Sequence, residues 1–154
     1  MAAEIESFLF HEADLLDSHD YAAWLELFTP DATYWIPSGA DDTDPSREVS
    51  IVYDNAAFLA ERVWRLDSGQ AYAQQPRSRT AHLIGNIRQV GGTDAAPEVA
   101  ATFLVVEYRR DTQHQYAGRY RYALRCADGD LRIAHKKVEL VNNDGFLGNL
   151  SLLL

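Results

Sequence analysis

Across residues 5–16 the apolar positions Ile5, Phe8, Leu9, Ala13, Leu15 and Leu16 recur at spacings of three and four, the period of an amphipathic helix. Glu4, Glu6, Glu12 and Asp14 are assigned to its other, solvent-facing side. The polar stretch 17–20 turns the chain. Asp20 offers an N-cap to a second helix carrying Trp24, Leu25, Leu27 and Phe28, which Pro30 should end. ATYWIP at 32–37 is aromatic and β-branched and reads as a strand, SGADDTDPS reads as an exposed loop, and 48–53 reads as a short strand. Asp54 or Asn55 can cap a third helix in which Phe58, Leu59, Val63 and Leu66 share a face, closed by Ser68 and Gly69.

The period then changes to two. Strands are expected over 78–90, 99–110, 116–126 and 131–141, with turns at GGTDAAP, Asp111-Thr112 and Asp128-Gly129. Three helices followed by an antiparallel meander predict an α+β domain with helices on one face of a curved sheet. Over 99–110 both strand faces are apolar at the centre: Val99, Ala101, Phe103 and Val105 on one, Ala100, Thr102, Leu104, Val106 and Tyr108 on the other. A sheet covered on one side only should alternate apolar with polar, so the second face is expected to be covered too, by a partner subunit or by the chain's own curvature or tail. Over 116–126 a tyrosine row opposes a row with Arg119 and Arg121, residue types that suit either an interface or a core backed by a solvated face. The nearly uncharged ending GFLGNLSLLL should be docked on the sheet or on a neighbour.

Composition narrows the function classes. The 154 residues are enough for one domain, 1–154, with a real core. With 14 Lys and Arg against 23 Asp and Glu, the net charge of −9 argues against nucleic acid as a partner. The opening MAAEIESFLF has no basic n-region ahead of an apolar stretch, and no apolar run approaches membrane-spanning length, so a cytoplasmic protein without membrane contact is expected. The single cysteine, Cys126, precludes an internal disulfide and a thiolate metal cluster, and its mid-strand position suggests a buried small hydrophobe. His11, His19, His82, His114 and His135 show no metal-ligand spacing, and no nucleophile elbow, Walker loop or dinucleotide fingerprint is present, so no metal is expected in this chain. One set of residues could do acid–base work. If helices and sheet enclose a cone, His82, Asp31 and Tyr53, with Trp35 or Tyr34, could converge inside it as a stand-alone dehydratase, isomerase or cyclase site.

The segments FLFHEADLLDSHDYAAWLELFTPDATYWIP, REVSIVYDNAAFLAERVWRL, PRSRTAHLIGNI and the terminal NLSLLL after LRIAHKKVEL follow one another, and together they resemble the small (β) subunits of aromatic-ring-hydroxylating dioxygenases, the Rieske non-haem iron oxygenases. The acidic DDTDPSRE is most similar to benzoate- or toluate-type members. The resemblance implies an NTF2-like (cystatin-like) cone with three N-terminal helices on a strongly curved, mainly antiparallel sheet. It implies a structural role in a trimer of β subunits beneath three catalytic α subunits, an α3β3 hexamer that cis-dihydroxylates an aromatic compound with electrons passed through a reductase and sometimes a ferredoxin. The Rieske [2Fe–2S] cluster and the mononuclear iron would belong to α, and this chain would carry no cofactor. No catalytic residue transfers. Tyr53, Arg77, Arg79, His82, Asn149, Leu150 and Leu152 fall in matching segments and, with Tyr108, Arg119 and Arg121 from the strand faces, are the candidate subunit contacts.

Overall fold

The computed structural model describes residues 1–39, 44–47, 50–68, 77–142 and 152–154. Helix α1 (Ala2–Asp17) and helix α2 (Tyr21–Leu25) lead into strand β1 (Phe28–Pro37). Strand β2 (Ser50–Asn55) and helix α3 (Ala56–Ser68) follow, then the strands β3 (Arg79–Gly92), β4 (Pro97–Arg109), β5 (Thr112–Ala127) and β6 (Asp130–Leu140). The expected α+β class stands, and the third helix lies between strands as expected. The six strands form one sheet in the order β2-β1-β6-β5-β4-β3. Only the β1–β6 pair is parallel; the other four are antiparallel. Irregularities interrupt the β1–β2, β1–β6, β3–β4 and β5–β6 ladders. Such bulges bend strands and increase their twist, and they give this unclosed sheet its curvature.

The helices fill the concave side. Ile5, Leu9, Leu15 and Leu16 of α1, Tyr21 and Trp24 of α2, and Leu59, Val63 and Leu66 of α3 are buried with Tyr34, Ile36, Phe103, Val105, Ile133 and Val138 of the strands. Asp20 caps α2, its carboxylate accepting the Ala23 N–H at 3.3 Å. Asn55, the second of the two possible caps, accepts the Phe58 N–H at 2.9 Å and starts α3, while Asp54 turns inward to Arg62. The tail residues Leu152, Leu153 and Leu154 are buried, and Tyr34 holds the last one: its hydroxyl donates to the Leu154 carbonyl at 3.1 Å and accepts the Leu154 N–H at 3.0 Å.

Four sequence expectations are corrected. The second helix ends at Leu25, and Phe28 and Pro30 belong to β1. Pro30 is tolerated because the β1–β6 register breaks between Phe28 and Thr33, where no ladder N–H is required of it. Phe58 does not share the buried face of α3; it is 58% exposed. Cys126 is exposed near the end of β5, its thiol donating to the Asp94 carbonyl at 3.2 Å. Glu12 is not on the solvent side of α1 but 1% exposed.

Candidate functional site

Glu12 lies three residues after Leu9 and four before Leu16, so the helical period carries it onto the stripe that enters the cone. There it meets Lys136 of β6, also 1% exposed, whose ammonium donates to Glu12 Oε2 at 2.8 Å. The Tyr122 hydroxyl donates to Glu12 Oε1 at 2.6 Å and the Trp24 indole N–H to Oε2 at 3.0 Å, so both carboxylate oxygens are engaged. The ammonium also lies 4.5 Å from the centre of the Tyr120 ring, 5.5 Å from that of Tyr122 and 6.0 Å from that of Tyr34, an aromatic cage for a desolvated cation. Burial pushes the Lys136 pKa down, against the pull of Glu12. Burial raises the pKa of Tyr120 and of Tyr122, and the Glu12 charge adds to both shifts. The middle of the cone is thus occupied by the protein's own ion pair and tyrosines, and the tail residue Leu154 is seated on Tyr34.

The structure does not bring the acid–base set His82, Asp31 and Tyr53 together. Asp31 lies at the surface, where its carboxylate accepts a bidentate pair of bonds from Arg125 at 2.9–3.1 Å and another from Thr29 Oγ1 at 2.8 Å. Those hydrogen bonds, Arg125 foremost, hold its pKa below the usual carboxylate range. Tyr53 stands on the outer face of the sheet, 46% exposed and edge-on to Trp35 with ring centres 6.4 Å apart. His82 turns inward under α1 and bonds to a carboxylate that the sequence reading did not single out, Asp17.

Asp17 clamps the end of α1 to the edge strand β3. It accepts the His82 backbone N–H at 2.9 Å and Thr80 Oγ1 at 2.9 Å, and its Oδ1 lies 2.6 Å from His82 Nδ1. Burial raises the Asp17 pKa, but the hydrogen bonds and charge of His82 and the Thr80 bond outweigh it, and the net shift is downward. Asp17→Ala strands a buried imidazole nitrogen and an edge N–H. An unmade buried hydrogen bond costs about 1–3 kcal/mol, so a loss of about 2–3 kcal/mol is expected. A lower urea midpoint at unchanged slope, with faster exchange of the His82 amide, is the measurement. The Asp17 contribution is present above its unfolded pKa, near 3.8, and is lost as pH falls through the depressed folded value.

The remaining contact candidates divide by face. Arg77 donates to the Leu66 carbonyl and to Asp67, tying the end of α3 to the start of β3. On the outer face Arg79 lies 5.3 Å from the centre of the Tyr108 ring, and Arg119 and Arg121 project from β5. The row Tyr116, Tyr120 and Tyr122 is core. On the other face of β4, Ala100 is buried, Leu104 and Val106 are half-buried and Tyr108 is 38% exposed. Asn149 and Leu150 lie outside the described residues, and Leu152 is buried in the chain's own core. The β2–α3 unit also carries exposed aromatic residues, Tyr53 on β2 and Phe58 and Trp64, 60% exposed, on α3. Sequence periodicity put Phe58 inside and gave Trp64 no role. Aromatic rings left in water are a mark of contact surfaces.

Among the described residues no three His, Cys, Asp or Glu side chains come together as a metal site, and no helix is long and apolar enough to cross a membrane.

Comparison with known proteins follows this division between a filled interior and a contact-rich exterior. A family model described as "Ring hydroxylating beta subunit" matches residues 11–144. The small oxygenase component of the p-cumate 2,3-dioxygenase system of Pseudomonas putida is 40% identical over 137 residues, 88% of this chain and 76% of that protein. The small subunit of 2-halobenzoate 1,2-dioxygenase from Burkholderia cepacia is 34% identical over 145 residues, 91% of this chain and 88% of that protein. The crystal structure of the β subunit of benzoate 1,2-dioxygenase from Burkholderia mallei superposes with a TM-score of 0.81 at 29% identity, covering 99% of this chain and 97% of that one. An NTF2-like protein with a cystatin-like fold from Novosphingobium aromaticivorans superposes with a TM-score of 0.65 at 16% identity, covering 97% and 84% of the two chains, a likeness of fold alone.

Proposed function

We propose a role for this chain from one premise: it belongs to the family of ring-hydroxylating dioxygenase β subunits. It is the small, non-catalytic component of a multicomponent aromatic-ring-hydroxylating dioxygenase and works beside a larger catalytic subunit. The observation that carries this reading is the 40% identity with the p-cumate system's small component over 88% of the chain. The structure supports it, because the cone's interior is committed to the Glu12–Lys136 pair and its tyrosines, while aromatic and arginine side chains face outward.

The finer reading extends from there. The chain acts as one domain and forms a trimer of small subunits on which three larger subunits stand, an α3β3 assembly. The larger subunit holds a Rieske [2Fe–2S] cluster and a mononuclear iron, and a reductase, with or without a ferredoxin, feeds it electrons. This chain's residues do not fit such groups: its one cysteine is an exposed donor to a backbone carbonyl, and a thiolate-held cluster needs several. The relatives named for p-cumate and 2-halobenzoate point to a ring-bearing carboxylate as substrate. Tyr53, Tyr108, Arg79, Arg119 and Arg121 on the outer face of the sheet, with Phe58 and Trp64 on the exposed side of α3, are the subunit contacts, and Arg77 and His82 hold the edge strand that presents some of them.

Reconstitution tests the reading. This chain, a larger Rieske-type subunit from the same organism and a reductase are expected to oxidise benzoate-type acids to cis-dihydrodiols with NADH, in preference to benzene. The small chain alone is expected to turn over nothing. Turnover by the small chain alone, or failure of the two subunits to co-purify, overturns the proposal.

A further inference from the structure

The middle of the outer sheet face is floored by small residues. Ala100 and Thr102 of β4 lie beside Gly85 of β3, where an added Cβ would meet nothing within 4 Å. Arginines flank this floor on the neighbouring strands: Arg88 of β3 and Arg121 of β5 both pair with Ala100, and Arg119 pairs with Thr102. The result is a hollow of about 570 Å³ lined by Asn86, Arg88, Ala100, Thr102, Arg119 and Arg121. Arg121 contacts Glu139 at 3.5 Å. Arg88 and Arg119 form no ion pair among the described residues. Next to the arginines the same face turns apolar, with Leu83, 58% exposed, opposite Leu104. Guanidinium forks match carboxylates in planar, bidentate geometry, and arginine beside exposed aliphatic and aromatic side chains is the composition of a protein interface.

We propose that this hollow is a carboxylate socket for a second copy of the chain, which seats the Glu6–Phe10–Asp14 stripe of its helix α1 on the β3–β5 face. The inference rests on the small-subunit reading and names the surface through which copies assemble. Charge selects the occupant, since the chain carries 23 acidic against 14 basic residues and its own copies are therefore the nearest source of unpaired carboxylates. Glu6, Phe10 and Asp14 are exposed at i, i+4 and i+8 of α1, hence on one stripe, and neither acid forms an ion pair among the described residues. The spacings agree. Phe10 to Asp14 rises about 6 Å along the helix, and Leu104 to Thr102 spans about 6.8 Å along the strand. Asp14 therefore reaches the arginines while Phe10 covers Leu83 and Leu104. One copy's helix on the next copy's sheet is a head-to-tail contact, which closes into a ring when the rotation allows.

Sedimentation velocity on the full chain, without the larger subunit, tests this. The natural chain is expected to sediment as a closed oligomer that loosens as salt rises. The Arg88→Glu/Arg119→Glu variant should be monomeric, with self-association at least about 100-fold weaker. Thr102→Arg, which fills the floor of the hollow and keeps its charge sign, should also be monomeric. Adding Asp14→Arg to the two arginine reversals swaps the facing charges and should restore the oligomer. All four positions are exposed or lie on the outer face, and far-UV circular dichroism should be unchanged in every variant. A natural chain that is monomeric, arginine variants that stay assembled, or a swapped variant that stays monomeric overturns the socket. Each of those outcomes leaves the pairing with a larger subunit to be judged separately by co-purification.

Discussion

Replacing Glu12 by alanine is expected to destabilise the chain by about 3–5 kcal/mol, because it leaves Lys136 buried without its counter-charge. The loss compounds. The Tyr122 hydroxyl and the Trp24 indole N–H give up the carboxylate they share, and neither reaches water from its present position. For a chain of this size 1 kcal/mol moves the melting temperature by roughly 2–4 °C, so a fall of about 10 °C or more should be visible by calorimetry. Lys136→Met should cost a comparable amount, since it leaves the carboxylate buried with only the tyrosine and indole donors. The double change Glu12→Leu/Lys136→Met is expected to recover much of the loss, because well-packed apolar residues often replace a buried pair at little cost. A double-mutant cycle read by urea unfolding separates these terms; additive single effects would show that the pair does not couple. In the reconstituted enzyme the double variant should retain turnover, because a support needs its shape and not the charges in its core.

The Glu12–Lys136 pair also marks where sequence reading stops. Helices α1 and α3 and the strands β3 to β6 were legible because each runs over more than ten residues, long enough for a period near 3.6 or 2 to show. Lys136 was not. Counting in twos from Ile133 puts His135 inside and Lys136 outside, but residues 133 and 135 of β6 face residues 124 and 123 of β5, so an extra residue is inserted there. That bulge reverses the parity, turns Lys136 inward with Val138 and Leu140, and sends His135 to the outer face beside Trp35. A backward count from Leu140 would have found it.

Asp17 was missed for another reason. It was read as part of a polar turn, and only the pairing of α1 with the edge strand makes it the acceptor for His82. The arginine hollow was half legible. The alternation in β5 put Arg119 and Arg121 on one face, but the small floor and Arg88 depend on how three strands register. The acid–base constellation failed because it assumed that His82, Asp31 and Tyr53 face one interior, whereas the sheet places one inward and two on the outside.

Stability is expected to collapse between pH 10 and 12. Tyr34, Tyr120 and Tyr122 are buried in the cone, and burial raises the pKa of each above its ordinary 10. Burial, with Glu107 beside it, lifts Tyr116 to about 12. A folded pKa above the unfolded one means that the native chain binds more protons than the unfolded chain in the window between the two. Unfolding is therefore favoured as pH rises. The stabilising contribution is intact below pH 10 and is lost above it. Each such group removes about 1.4 kcal/mol per pH unit within its window. The three cone tyrosines together remove about 4 kcal/mol per unit, enough to exhaust a typical domain stability of about 5–15 kcal/mol within two to three units. Phenolate absorbance should show this. The buried phenols should ionise in one cooperative step that coincides with loss of the far-UV dichroism signal. Smooth titration of all tyrosines near pH 10, with the fold retained, would mean that the cone is open to water. Tyr122→Phe should blunt the cooperative step and move it to higher pH, because it removes one of these protons while leaving Lys136 to hold the carboxylate.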